Sequence, residues 1–284
     1  MKNVNLIHLK YVDDLSLAEA INLPEKLVHD PGRPQPDHFH AKTGHVLPIS
    51  SSRVFEQLRR TEEYANKNDM KLNQKKTKFM VFNPCTSIDF VPEFSVAGRD
   101  IELVDEMRIL GLIVRSDLSW ESNTENMVTK ANRKLWMIRR LSSLGADRGD
   151  LIDIYRTQVR IILELAVPAW QGKVTQVEKN NIERVQKSAF HIILGDQYLS
   201  YKSAQITLGL ENLDMRRNQL CLNFGKKSEK HEKFKHWYKL NDLTAETRQE
   251  KFKYCNVKAR LTRFKKSPIS FLTNMLNDHY SKTK

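Results

Sequence analysis

The order of apolar and polar positions divides the chain into a strand-bearing first part and a helical second part. From Asn3 to Ala20, Val4, Leu6, His8 and Lys10 alternate with Asn5, Ile7, Leu9 and Tyr11, and Leu15, Leu17 and Glu19 follow the Asp13-Asp14 pair. A period of two on both sides of a polar pair predicts a hairpin. Residues Pro24 to Ser52 hold Pro24, Pro31, Gly32, Pro34, Pro36, Gly44 and Pro48, which predicts a loop. Val54 to Asn68 reads as a helix with Val54, Leu58 and Ala65 on one side. Met70 to Asn83 then turns extended and ends in a strand over 79–82, with further short strands expected at 94–96 and 109–114.

Beyond Trp120 the spacing changes to threes and fours. Ser122 and Glu125 form a capping-box pattern ahead of Val128, Ala131, Leu135 and Ile138, and Gly145 marks the stop. A second helix is marked by Leu151, Ile154, Tyr155, Val159, Ile162, Leu163 and Ala166, with Pro168 as its expected end. A third runs through Val177, Ile182, Val185, Ala189 and Ile192 to Gly195, and two more are expected over 201–208 and from Leu213 to about Glu229. The fold class read from this pattern is α+β, a small antiparallel sheet followed by a helical bundle.

Composition narrows the function classes. The 284 residues carry 47 Lys+Arg against 34 Asp+Glu, a net charge of +13, and 40% of them are hydrophobic, enough for a real core. No run of about 18 apolar residues occurs; the nearest candidate, Ile161 to Trp170, is interrupted by Glu164 and Pro168. The first residues have no apolar stretch of signal length. An intracellular protein that crosses no membrane is expected. Cys85, Cys221 and Cys255 lie far apart, which fits neither a disulfide framework nor a paired-cysteine zinc site. The positive charge is concentrated late: residues 226–284 hold 16 basic and 6 acidic side chains. There Phe234, Trp237, Tyr238, Phe252, Tyr254 and Phe264 alternate with Lys and Arg, a mixture suited to single-stranded nucleic acid and equally to aromatics packed on the bundle.

The sharpest local signal is Tyr11-Val12-Asp13-Asp14 between two apolar strands. Adjacent carboxylates repel, and a divalent cation removes that cost. Paired metal ions then clamp the attacking and leaving oxygens in phosphoryl transfer. A solvated Asp-Asp turn is the plain alternative. His38, His40 and His45 sit near Asp37 in the Pro-rich loop, but their spacing matches no standard zinc finger. Cys221, between Leu220 and Leu222, reads as a helix-face residue.

The stretch KYVDDLSLAEA resembles the YxDD hairpin in the palm of reverse transcriptases. MKLNQKKTKFMVFNP and RILGLIVRSDLSW resemble the next two palm blocks of reverse transcriptases from LINE-type, non-long-terminal-repeat retrotransposons. KANRKLWMIRRLSSLG, ELAVPAW, IERVQKSAFHIILG and LGLENLDMRR continue the likeness, which is nearest to the jockey-like group. The resemblance implies a partial palm over 1–115, a thumb-like helical region over 116–230 and a basic tail over 231–284. It implies RNA-directed DNA polymerase (nucleotidyltransferase) ancestry, with an RNA template and a DNA primer or single strand as partners.

Residue by residue, the resemblance makes Asp13 and Asp14 the catalytic, Mg²⁺-binding carboxylates. It sets Tyr11 beside the primer terminus, puts Asn73, Lys76 and Thr77 in the nucleotide-binding block, and puts Gly111 in the turn of the primer-grip hairpin. The family's further palm aspartate and its fingers lie upstream of YxDD, and here only ten residues precede Tyr11. The chain is therefore expected to be a carboxy-terminal fragment that is inactive alone, with weak Mg²⁺ binding at most. The alternatives are a non-enzymatic nucleic-acid-binding module and a protein–protein module built on the helices. Neither oligomeric state nor compartment follows from the sequence, since a Lys-rich tail suits nuclear import and nucleic-acid binding alike.

Overall fold

A computed structural model describes residues 7–11, 14–18, 40–41, 53–73, 75–82, 90–91, 95–96, 98–241, 252–255 and 265–282. They fall into two compact units, one drawn from residues 1–108 and 114–118, the other from 109–113 and 119–284. The chain is mixed α and β, with helix predominating.

The described residues of the first unit form short paired strands and a helix. β1 (Ile7–Tyr11) pairs antiparallel with β2 (Asp14–Ala18), as the alternation predicts. β3 (His40–Ala41) pairs with β5 (Phe90–Val91). α1 (Arg53–Lys67) buries Ala65 and lies against β2. The expected strand over 79–82 begins one residue earlier and is shorter: β4 is Lys78–Phe79 and pairs parallel with β8 (Glu102–Leu103), where a Lys78–Glu102 ion pair reinforces the register. β6 (Ser95–Val96) and β7 (Arg99–Asp100) form another hairpin. Where a single strand is expected over 109–114, two are found, β9 (Glu106–Ile109) and β10 (Leu112–Arg115). The turn between them, Leu110-Gly111, interrupts an apolar run that alternation alone cannot divide.

The second unit is a helical bundle. α2 (Glu121–Ser143) buries Met127, Ala131, Leu135 and Ile138, one stripe at helical spacing. It packs along α6 (Gln176–Leu194), whose buried side includes Ile182, Val185, Ala189 and Phe190. The expected cap at Ser122 is not the one used. Trp120 precedes the first turn without a side-chain cap, and Ser122 lies inside the helix. The capping box is instead Thr175 with Glu178 at the start of α6. Glu178 is buried, and its second oxygen lies 3.1 Å from the Thr124 hydroxyl of α2, so one carboxylate fixes two helix starts.

α3 (Arg148–Ile154) starts at Asp147, whose carboxylate accepts from the Gly149 N–H, and passes through a π-helical segment at Tyr155–Arg160 into α4 (Ile161–Leu163). Pro168 does not end this run. Ala166 ends it in the left-handed region (φ 48°), and Pro168 sits in the first turn of α5 (Val167–Trp170), where its missing N–H costs nothing. α7 (Tyr201–Leu208) and α8 (Leu213–Ser228) start at the caps Ser200 and Asn212.

A last helix, α9 (Pro268–Lys282), is absent from the sequence expectation. It lies on α8 and buries Leu272, Thr273, Leu276 and Asn277. Its approach needs Gly172, because a Cβ there would come within 2.8 Å of Phe271. Of the aromatics in the basic region, Tyr238 and Tyr254 are buried, and Asn277 clamps Tyr254 by accepting its N–H and donating to its carbonyl, each at 2.9 Å.

Buried polar groups hold the helices in register. Tyr155 donates to Gln186, Gln186 donates to Tyr201 at 2.7 Å and to the Glu211 carbonyl at 2.9 Å, and Tyr201 donates to Glu183. Arg217 is fully buried against the Trp170 ring and donates from Nε to Gln171 at 2.9 Å. Burial lowers its pKa, against the opposing charges of Asp214 and Glu183. Near the end of α8, burial pushes the Glu229 carboxyl up, but hydrogen bonds from Tyr254 and Tyr280 and the Lys253 ammonium outweigh it and hold the group below its ordinary value.

Two stability outcomes follow. Leu276→Ala empties a fully buried site and is expected to cost about 2–5 kcal/mol, and Gly172→Ala to lower stability by displacing Phe271; urea unfolding measures both. Because the Glu229 pKa is depressed on folding, its contribution is present above the unfolded value of roughly 4.3 and is lost as pH falls below it. The Tm difference between wild type and Glu229→Gln is expected at neutral pH and should shrink below about pH 4.

Candidate functional site

The YVDD hairpin is built by strand pairing. Tyr11 at the end of β1 stands opposite Asp14 at the start of β2, and Ile7 stands opposite Ala18 at the far end. Val12 and Asp13 lie outside the described residues, so the backbone of the motif is described at Tyr11 and Asp14 only. Among the described residues no group of three or more His, Cys, Asp or Glu side chains is placed to hold a metal ion. Of the loop histidines, His40 is in β3, while His38 and His45 are outside the described residues.

Asn73, Lys76 and Thr77 come together in one turn, which Asn73 organises. Its carbonyl accepts the N–H groups of Lys76 (3.1 Å) and Thr77 (3.0 Å) and the Thr77 hydroxyl (2.9 Å), and its side-chain oxygen also lies 3.2 Å from the Lys76 nitrogen. This is local side-chain-to-backbone bonding of the kind that favours turns over regular structure. It leaves the Lys76 side chain exposed, whereas Lys78 is tied to Glu102. The hairpin and this turn belong to the same unit; Gly111 belongs to the other.

Gly111 closes the β9–β10 turn. Leu110 (φ 48°) and Gly111 (φ 90°) both have positive φ, the requirement of a two-residue hairpin turn that follows strand twist. A Cβ at Gly111 would meet Leu165 at an ordinary 3.4 Å, so backbone conformation rather than space selects glycine. Leu110 occupies the other position at a cost, for a branched side chain gains nothing from the left-handed region. After the turn, the Ile113 N–H donates to the buried Asn123 side chain of α2 at 3.1 Å.

A further constellation lies on α2, and periodicity read for apolar residues alone misses it. With Met127, Ala131, Leu135 and Ile138 turned inward, the opposite side presents Asn132, Arg133, Trp136, Arg139, Arg140 and Ser143, all of them exposed or, for Ser143, at the exposed end. Trp136 is 67% exposed. Arg133, Arg139 and Arg140 stand at i−3, i+3 and i+4 from it, the spacings that make helix neighbours. Between Glu125 and Asp147 the chain holds five cations and no acid. Among the described residues none of the three guanidinium groups has an ion pair. Glu125 shares the face but lies roughly 16 Å along the axis from Trp136. The signal in the sequence is the basic-aromatic string RKLWMIRR, legible once the helix phase is known.

The bundle also has a polar cleft of about 210 Å³ lined by Lys179, Glu183, Lys187, Tyr201 and Asp214. Its charges are mutually engaged: Lys179 pairs with Asp214 at 2.9 Å, Glu183 accepts the Leu213 N–H at 3.2 Å, and Lys187 lies 5.1 Å above the Tyr201 ring. Lys179 and a hydrogen bond from Gln171 hold the Asp214 carboxyl below its usual value in spite of burial, which alone would raise it. The cleft is a satisfied helix junction.

The turn geometry gives a direct test. Leu110→Asn is expected to raise stability by up to about 1 kcal/mol, because Asn tolerates left-handed backbone, and Gly111→Ala to lower it by roughly 1–2 kcal/mol. Urea midpoints with unchanged slopes would measure both.

No protein-family model matches this chain, and no curated protein or solved structure proved similar to it.

Proposed function

We propose that the chain derives from the reverse transcriptase of a LINE-type retrotransposon, and that these 284 residues bind nucleic acid without polymerising on their own. The observation that carries the reading is Tyr11 paired opposite Asp14 within the YVDD sequence, followed in order by the turn of Asn73, Lys76 and Thr77 and by the Leu110-Gly111 hairpin. In this reading Asp13 and Asp14 hold Mg²⁺, Tyr11 adjoins the primer terminus, and Lys76 meets the triphosphate of the incoming nucleotide. Mg²⁺ would supply charge neutralisation at the phosphates. Asp13 and Asp14 are adjacent in the chain, so in this reading they serve one side of a metal pair. Two-metal transfer depends on ligands converging from more than one strand, and misplacement by about 1 Å costs roughly a hundredfold in rate. The expectation is binding without turnover.

The second reading, a non-enzymatic nucleic-acid-binding module, is favoured by the α2 face. Among the described residues its arginines have no ion pair, and its net charge is positive, the footprint of a phosphate-binding surface. Both readings share that surface. They part at the hairpin, which matters to the first and is a solvated turn in the second.

The test is metal-dependent. Mn²⁺ titrated into the chain with a deoxynucleoside triphosphate, followed by its paramagnetic resonance signal, is expected to show weak binding that Asp13→Asn removes. Equal binding by wild type and variant would favour the module. Primer extension on an RNA template with Mg²⁺ or Mn²⁺ is expected to give no product; extension that Asp13→Ala abolishes would overturn the claim of inactivity.

A further inference from the structure

On the nucleic-acid reading above, we infer that Trp136 is a stacking platform on α2, so that the chain selects unpaired bases: single-stranded nucleic acid or the open side of a junction, in preference to uniform duplex. An indole 67% exposed on a helix whose opposite face is packed contributes little to the fold. Large aromatics gain by burial, and this one is left in water with three arginines a turn away on either side. Arginines alone account for attraction to phosphate, which duplex and single strand both offer. A flat ring adds something only where a base presents its face, and that happens where the stack is open. Phosphates on Arg133, Arg139 and Arg140 would hold the strand while a base covers the indole.

The same chemistry excludes a lipid surface as the better occupant. A helix that lies in a membrane interface buries a continuous apolar side, with several large residues across its length. On the outer side of α2 the helix neighbours of Trp136 are Asn132, Arg133, Arg139, Arg140 and Ser143, all polar, and the exposed Leu144 stands about 12 Å further along, past the end of the helix. One ring among cations suits a base better than a bilayer.

The experiment uses the full chain and fluorescence anisotropy with a labelled oligodeoxythymidine of about 20 nucleotides and a blunt duplex of equal length, each across a salt series. Wild type is expected to bind the strand more tightly than the duplex. Trp136→Ala should weaken strand binding by about fivefold to about 150-fold, with the salt slope unchanged, because stacking carries no charge. Trp136→Phe, which keeps a ring, should retain most of the affinity, and circular dichroism should show both variants folded. The double variant Arg139→Gln, Arg140→Gln should lower the slope of log K against log salt by roughly 1.4. Strand binding that Trp136→Ala leaves unchanged, or strand and duplex weakened equally, would overturn the stacking assignment while leaving nucleic-acid binding intact. A wild-type chain that binds neither ligand in a salt-dependent way would contradict the underlying reading, and binding to phosphatidylserine vesicles but to no oligonucleotide would assign the face to membranes and overturn both.

Discussion

The seam between α2 and α6 is the constraint on which the rest of the second unit depends. Met127, Ala131, Leu135 and Ile138 on one helix and Ile182, Val185 and Ala189 on the other are buried, and Glu178 ties the two helix starts through Thr175 and Thr124. Each large side chain so buried is worth about 1.5–3 kcal/mol relative to exposure. The seam also fixes the rotation of α2 about its axis. Once those four residues face the core, Trp136 and the three arginines are turned away from it. The surface chemistry of the bundle is thus a consequence of its packing.

Around that seam the other helices are positioned by polar groups as much as by apolar ones. The chain of hydrogen bonds from Tyr155 through Gln186 and Tyr201 to Glu183 joins the π-helical segment, α6, α7 and the start of α8. Such networks, when fully satisfied, specify one arrangement among several that an apolar core would allow. At the far side of α8, Glu229 gathers Tyr254, Tyr280 and Lys253, while Asn277 fixes Tyr254 by its backbone. The described aromatics of the late basic region therefore divide: Tyr238 and Tyr254 serve the core, and Trp237 packs against it in part.

Much of the helical part was legible because apolar residues at spacings of three and four leave few phases open. α2, α6, α7 and α8 follow that pattern closely. The errors come from residues with two physical meanings. Pro168 ends helices in general, yet at the first turn it is favoured, and Ala166 in the left-handed region makes the break instead. Ser122 with Glu125 has the spacing of a capping box, but capping requires non-helical backbone at the first residue, and here Ser122 is already helical. Ile109 to Val114 reads as one apolar run because Leu110, an exposed apolar residue in a turn, carries no turn signal of its own. Of the candidate site, Asn73, Lys76 and Thr77 share one turn and Tyr11 pairs with Asp14, while the α2 face was hidden because a tryptophan in a helix is ordinarily read as core.

The central claim is that the outer face of α2 is where nucleic acid lies, and hydroxyl-radical footprinting of the full chain tests it at the level of single side chains. With a saturating single-stranded oligonucleotide, oxidation of Trp136 should fall several-fold, while Ile206 and Leu199, exposed elsewhere on the same unit, should be unaffected. Oxidation of Trp136 that stays the same while the oligonucleotide is bound would contradict the account.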